Sequence, residues 1–448
     1  MADTEIDPQL TTKLHRRWRG LGALIFTLFY SFFFAAHLAM VGTTVYLKDG
    51  AVLSAGTAKV YADMTLPAAD AGGRGTGEGG AFLLLHRPFV AVFEGVWSML
   101  AQDAAMAQKH AFGSLRALAG ALMVVFLYNM LLWSGLGFWN AVLWAAVGGF
   151  STASVVFTAL PDTGVFTMLG LTAMLAAMAR GRRARWWEFS IAALYTVLCS
   201  HWNLIAVILL VFVRGVRRWR MSQSSYGTVR AMLVSVCMLV LLMLGAMRIQ
   251  GWMYPKSSRK PVTALVHEGT AQLEKAGERL MHTPWLSRLE DVFLNSVVAP
   301  DASAVDTVAT NEPRTRRVIT LAEDRGTVIG FERVLWAAWL LLLLLGMAGL
   351  PGAAEHAGVA TGALILLGWQ MVYYGALEQA GQRLLFSWAW LPPLIIATAV
   401  GCGRALQRYS RLRVPVTVLL IFFASMLAMR NFGFIQRIAD QIRLIASV

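Results

Sequence analysis

Of 448 residues, 57% are hydrophobic and only 14% are charged, with a mean hydropathy of +0.58. A soluble domain carries roughly 25% charged residues, so this chain lacks the polar sequence to coat a water-soluble globule, and the bilayer is its solvent for most of its length. The net charge of +14 does not point to nucleic acid: seventeen Lys and Arg residues fall in four acid-free windows, 13–19, 180–185, 214–230 and 404–413, each abutting an apolar run, which marks cytoplasmic loops.

Residues 1–19 form a polar cytoplasmic segment in which Lys13, Arg16, Arg17 and Arg19 hold the start of helix 1 inside. The apolar run that follows continues to about Val45, too long for a signal-peptide core, and predicts a retained anchor. A first outer loop covers 47–111. Its glycine cluster, from Gly72 to Gly80, reads as a flexible link, because a phosphate cradle needs a strand–loop–helix setting. Within that loop 82–100 is apolar but contains His86, Arg87, Pro88 and Glu94. Charges at a helix centre cost about 2.5–3.5 kcal/mol each on insertion scales, which predicts a helix lying at the outer interface.

Spans are predicted at 112–134, 138–159 and 163–179. Residues 186–213 are flanked by arginines on both sides and must cross twice or not at all, with the break at Ser200-His201-Trp202-Asn203. A span at 230–249 leads to a second outer loop, 250–330, with ten basic and ten acidic residues. There Leu273, Ala276 and Leu280 have amphipathic helical spacing, and Pro284, Pro300 and Pro313 divide the rest into short pieces. Four more spans follow at 334–350, 357–377, 384–402 and 414–430, and 431–448 reads as an amphipathic surface tail. The expected fold is therefore all-α: a polytopic membrane protein of about eleven transmembrane helices over 20–430, with two large outer loops. The amino terminus is expected in the cytoplasm and the carboxyl terminus outside.

Cys199, Cys237 and Cys402 lie in apolar stretches without CxxC spacing and read as small buried hydrophobes. Trp186, Trp187, Trp202, Trp219, Trp336, Trp388 and Trp390 lie near helix ends, where interfacial anchoring is the usual role. The polar residues that could carry chemistry collect on the outer side: Asp49 and Asp63, the pair His86-Arg87, Asp162 in a turn between spans, and Glu378 and Arg383 bounding another turn. A carboxylate here can serve as general base for an acceptor hydroxyl, and an arginine can hold a phosphate leaving group. Each also has a plainer reading. Asp49 fits a solvated loop, Asp63 the end of a short amphipathic run, Asp162 a helix N-cap, Glu378 and Arg383 a mutual ion pair, and His86-Arg87 an interfacial pair. His201 is read as the one histidine in a predicted span, and ionisable groups within spans as nearly absent.

The pattern resembles the GT-C superfamily of membrane glycosyltransferases, in particular uncharacterised bacterial members that use polyprenyl-phosphate sugars. The resemblance rests on a cytoplasmic amino terminus and a long first outer loop, on Lys59-Val60-Tyr61-Ala62-Asp63-Met64-Thr65 and His86-Arg87-Pro88-Phe89, and on Tyr374-Gly375 to Glu378 with Phe386-Ser387 and Pro392-Pro393. Two departures are visible: Ala55-Gly56-Thr57 stands where relatives carry an acid, and Arg87 splits their His-Pro pair. The resemblance implies a GT-C-like fold in the bacterial inner membrane and transfer of a sugar from a polyprenyl-phosphate donor to an acceptor on the outer face. Asp63 or Asp49 would act as base or hold a divalent ion, and His86, Arg87 and Arg383 would bind the donor phosphate, with Glu378 orienting Arg383. The implied partners are membrane lipid and the lipid-linked donor. A non-catalytic transporter or assembly partner for envelope polysaccharide, and a membrane O-acyltransferase built on His201, stand as alternatives.

Overall fold

The structure is a computed structural model that describes residues 8–47, 57–66, 71, 81–101, 103–180, 186–221, 225–254, 285–299, 302–308, 315–321, 330–352, 357–377 and 387–446, with isolated positions between 270 and 278. The chain is an integral membrane protein. Among the described residues six helices are long and apolar enough to cross a bilayer, or seven if one bent pair forms a single span.

The first is α1, Pro8–Val41, whose apolar part is Gly20–Val41, followed by a 3-10 turn at Thr44–Tyr46. Two short helices of the first loop come next: α2, Thr57–Thr65, and α3, Phe82–Trp97. The central element is α4, Ala104–Trp133, which starts eight residues before the expected span because Asp103 caps it, its side chain accepting the Met106 N–H at 2.6 Å. It packs against α1, α3, α7 (Gly164–Ala179) and α5 (Phe138–Phe150).

The expected span 138–159 is broken. Helices α5 and α6 (Thr152–Ala159) meet at Ser151 with a bend of 52°. The amides freed by the break are met from far along the chain: Thr152 N–H donates to Val297 O and Ala153 N–H to Ser296 O, both at 3.0 Å. Asn431 completes the arrangement. Its Nδ2 donates to Phe150 O at 2.6 Å and to Val297 O at 2.9 Å, and its Oδ1 accepts from Ala299 N at 2.9 Å. Residues Ser296–Ala299 are fully buried, so this part of the expected outer loop 250–330 runs inside the bundle. The same loop also holds an antiparallel hairpin, β1 (Ala302–Val308) on β2 (Thr315–Leu321), in the register Ala302↔Leu321 to Val308↔Thr315. The helical reading of the apolar chain therefore has a small β element beside it. The proposed amphipathic helix about Leu273, Ala276 and Leu280 lies outside the described residues.

Residues 186–213 divide at the polar run, into α8 (Trp186–Cys199), a 3-10 turn at His201–Asn203, and α9 (Leu204–Met221). Helix α10, Ser225–Met253, is only 11% buried over its apolar window, whereas α14 (Ser387–Arg408) is 89% buried. The first leaves most of its surface open to lipid, and the second is enclosed by the protein. Between them come a short helix α11 (Trp285–Glu290), α12 (Gly330–Gly349) and α13 (Ala357–Leu377). Helices α12 and α14 cross at Gly346, Gly349 and Gly401, where an added Cβ would meet facing backbone. Small residues permit that approach in a setting where packing, not water exclusion, holds helices together.

The last helix, α15, runs unbroken from Arg413 to Ala446. The surface tail expected at 431–448 is its continuation. Phe434, Ile435, Ile438 and Ile442 form an apolar stripe that is buried in the protein, with α1 as a neighbour of this helix. Trp388 and Trp390 are likewise core residues, not interfacial anchors, and Cys237 is exposed where Cys199 and Cys402 are buried.

Candidate functional site

The first loop is built onto the bundle by specific bonds. Thr57 Oγ1 donates to Val45 O at 2.9 Å and fixes the start of α2 beside the end of α1. At the other end of α2, Arg87 Nη1 donates to Asp63 O at 3.5 Å and Nη2 to Leu66 O. A guanidinium placed there satisfies terminal carbonyls and complements the helix dipole. The same group lies over the Tyr254 ring at 5.2 Å. Arg87 thus anchors α2 and α3 together. The Asp63 side chain on that short helix is fully buried.

His86, the neighbour of Arg87, is also buried and bonded at both ring nitrogens. Its Nδ1–H donates to Phe82 O at 3.0 Å, and its Nε2 lies 3.0 Å from Tyr195 Oη, which assigns Nε2 as the acceptor of the phenol proton. The ring packs on Phe166 at 4.2 Å and on Phe82 at 4.4 Å. Burial lowers its pKa to about 4, and the Phe82 carbonyl opposes that only in part. His86 is therefore a neutral tether between α3 and α8.

Asp162 accepts the Gly164 N–H at 2.7 Å at the start of α7. It also lies close enough to Arg116 for the two charges to interact. Asp49, Glu378 and Arg383 fall outside the described residues. His201 sits half-buried in the 3-10 turn between α8 and α9.

A polar cluster that the sequence pattern did not reveal lies where α1, its 3-10 turn and α4 meet. His37, Tyr46 and Arg116 are all buried. Arg116 Nη2 donates to Tyr46 Oη at 2.9 Å and approaches His37 Nδ1 at 3.2 Å, and Tyr46 Oη lies 2.9 Å from His37 Nδ1. Arginine can only donate. Tyr46 Oη accordingly accepts from Arg116 and donates its O–H to His37 Nδ1. His37 then carries its proton on Nε2 and donates it to His110 Nδ1, 3.4 Å away. His110 is half-buried, so the line of bonds runs from a sealed guanidinium toward the surface.

Around this line, Lys109 Nζ reaches Val41 O at 3.4 Å and lies 5.5 Å from the Tyr46 ring centre. Tyr61 of α2 meets Tyr46 edge to face at 5.0 Å. Burial raises the Tyr46 phenol above its ordinary value, with Arg116 acting in the opposite sense, and burial pushes Tyr61 up to about 12 with help from Tyr46 and Glu94. Both phenols remain proton donors at neutral pH. Gly113 makes the space for the histidine, since a Cβ there would overlap the His37 ring.

His37 and Arg116 both lie within apolar spans, and so does the buried ion pair of Glu332 with Arg430. His201 is thus not the one histidine of interest, and ionisable groups inside spans are not nearly absent. The hydropathy of the surrounding runs masks them. For Arg116 the available signal was a lone charge within an otherwise uncharged run from 112 to 134. Among the described residues no group of three His, Cys, Asp or Glu side chains could hold a metal ion. No protein-family model matches the chain, and no curated protein matches it.

Proposed function

We propose that the protein is a GT-C-like glycosyltransferase of the bacterial cytoplasmic membrane, with about eleven spans, a cytoplasmic amino terminus and an outer carboxyl terminus. It moves a sugar from a polyprenyl-phosphate donor to an acceptor on the outer face. In the reaction a carboxylate takes the acceptor hydroxyl proton, the new bond forms between that oxygen and the sugar, and the sugar–phosphate bond breaks to release polyprenyl phosphate. Asp63 is the residue assigned to the proton, with Asp49 as the other candidate. The observation that carries this reading is the sealed carboxylate of Asp63, fully buried on a short helix outside the apolar spans. That helix is held by Arg87 at one end and meets Tyr46 through Tyr61. Tyr46 in turn leads through Arg116 to Asp162, which supports one shared end of the bundle for loop 1 and the turn at 160–163.

The test is sugar transfer by purified protein supplied with polyprenyl-phosphate sugars. Asp63→Asn is expected to lower turnover by about 10²-fold or more, and unchanged turnover in both Asp63→Asn and Asp49→Asn would remove the carboxylate mechanism. A second reading, a transporter, draws on the ionisable residues His37, Arg116 and Glu332, buried within spans, and on Arg430, the partner of Glu332, because such groups mark transport paths in membrane proteins. It predicts solute or lipid flux in proteoliposomes that survives Asp63→Asn and is lost in Arg116→Gln.

A further inference from the structure

The Arg116 guanidinium is sealed in the protein, yet only its Nη2 is engaged. Its Nε and Nη1 are buried and meet no acceptor among the described residues. A guanidinium stays charged at any working pH, and native proteins seldom leave buried donors of a charged group unmet. The Phe112 ring, 4.9 Å away, covers the guanidinium without accepting those hydrogens in the plane.

A second cation, Lys109, lies 5.5 Å from the Tyr46 ring centre, and His37 and His110 continue the hydrogen-bond line from Tyr46. Two acids are near. Asp162 interacts with Arg116 through space, but one carboxylate oxygen is committed to the Gly164 amide. Glu94 faces Tyr61 and accepts from Gln108 Nε2 at 3.1 Å. Tyr46 and His37 hold Nη2 in a fixed direction, so the unmet donors are presented in a set geometry.

We propose that Arg116 binds a phosphate group, with Tyr46 and His37 as positioning residues that orient the guanidinium. Phosphate offers several strong acceptor oxygens and is a preferred partner of arginine. The phosphate can come from a lipid headgroup or from a soluble phosphate, and the site holds whether or not the protein transfers sugars.

The experiment uses the full chain in phosphatidylcholine nanodiscs at constant ionic strength, without any sugar donor. In one arm inorganic phosphate replaces chloride, and in the other phosphatidic acid is added to the bilayer. The melting midpoint and calorimetric heats are read in both. The wild type is expected to be stabilised in at least one arm. A response to inorganic phosphate identifies a soluble source, and a response confined to phosphatidic acid identifies a headgroup. Arg116→Gln should abolish the response, and Tyr46→Phe should weaken it by about tenfold, the loss of one charge-assisted contact. Wild-type protein indifferent to both phosphates overturns the proposal, and so does an Arg116→Gln protein that responds like wild type. If Arg116→Gln does not fold, Tyr46→Phe decides, because an unweakened response there removes the positioning role and the site with it.

Discussion

Gly120 lies in α4 where α1 and α6 press on it from two sides. A Cβ at this position would stand 2.5 Å from the Thr158 methyl and 2.8 and 2.9 Å from two edge carbons of Phe33. Ordinary carbon contacts lie at about 3.5–4.0 Å, so each neighbour would have to retreat by roughly 1 Å. Neither is free to do so. Thr158 Oγ1 is bonded to Ser154 O at 2.7 Å and Val155 O at 3.0 Å, which fixes the rotamer that aims its methyl at Gly120. Phe33 is fully buried and wedged between Phe29 and Phe32, each with its ring centre 5.7 Å away. Overpacking of this kind costs about 1–3 kcal/mol, whereas replacing glycine by alanine in an open helix stabilises by up to about 1 kcal/mol. Gly120→Ala should therefore lower the melting midpoint by about 2–4 °C, read by tryptophan fluorescence or by size-exclusion after heating. Gly95→Ala, where nothing stands within 4 Å, should leave it unchanged or raise it. Thr158→Ser removes the obstructing methyl and keeps the hydroxyl, so the double variant should recover part of the loss. Equal midpoints for Gly120→Ala and Gly95→Ala, or additive losses in the Thr158→Ser cycle, would refute the close three-helix contact.

His86 provides a pH test. Its folded pKa, near 4, is depressed by burial from the unfolded 6.5, so its neutral form supports the fold fully above pH 6.5. That support, up to about 3 kcal/mol, should fade as pH falls from 6.5 toward 4, and the wild-type midpoint over this range should slope more steeply than that of His86→Gln. Arg430→Met strands the buried Glu332 carboxylate and should destabilise by about 3–5 kcal/mol. The double variant Glu332→Leu/Arg430→Met should regain most of that in a denaturation assay, and a double variant no better than the single one would count against a mutually compensating pair. Asn431→Ala leaves Ala299 N–H, Phe150 O and Val297 O without this partner. A loss of about 1–3 kcal/mol per stranded group should appear as faster amide exchange at Thr152 and Ala153, and protection equal to wild type would contradict the arrangement.

The long apolar helices were legible because a run of some twenty nonpolar residues has few other solutions in a chain of this composition. Residues 357–377 are helical over the expected range, and the polar run Ser200–Asn203 marked a real interruption. The break at Ser151 was hidden for a definite reason. Gly148-Gly149-Phe150-Ser151 is compatible with a continuous span, and the acceptors that make the break affordable belong to Ser296 and Val297, which no local pattern connects to it. The 431–446 segment was misplaced because an amphipathic stripe suits a membrane surface and a protein surface equally. In the candidate site, Asp63, His86, Arg87 and Asp162 stood out as charged or polar letters in or beside apolar runs. Their partners did not: the Tyr195 hydroxyl for His86 and the α2 carbonyls for Arg87 depend on tertiary placement. His37 and Arg116 were passed over because each is a single letter in a run whose average is strongly apolar.

Asn431 donates to a carbonyl 281 positions earlier in the chain. Since synthesis proceeds from the amino terminus, Phe150 and Ser151 enter the bilayer long before Asn431 or residues 296–299 exist. Until α15 emerges, the kinked segment must keep its exposed amides with borrowed partners, such as lipid headgroups, water or the insertion machinery. Completion of the bundle is in this sense withheld until residue 431 has been made, and a chain cut short before it would carry an unfinished seam through its middle.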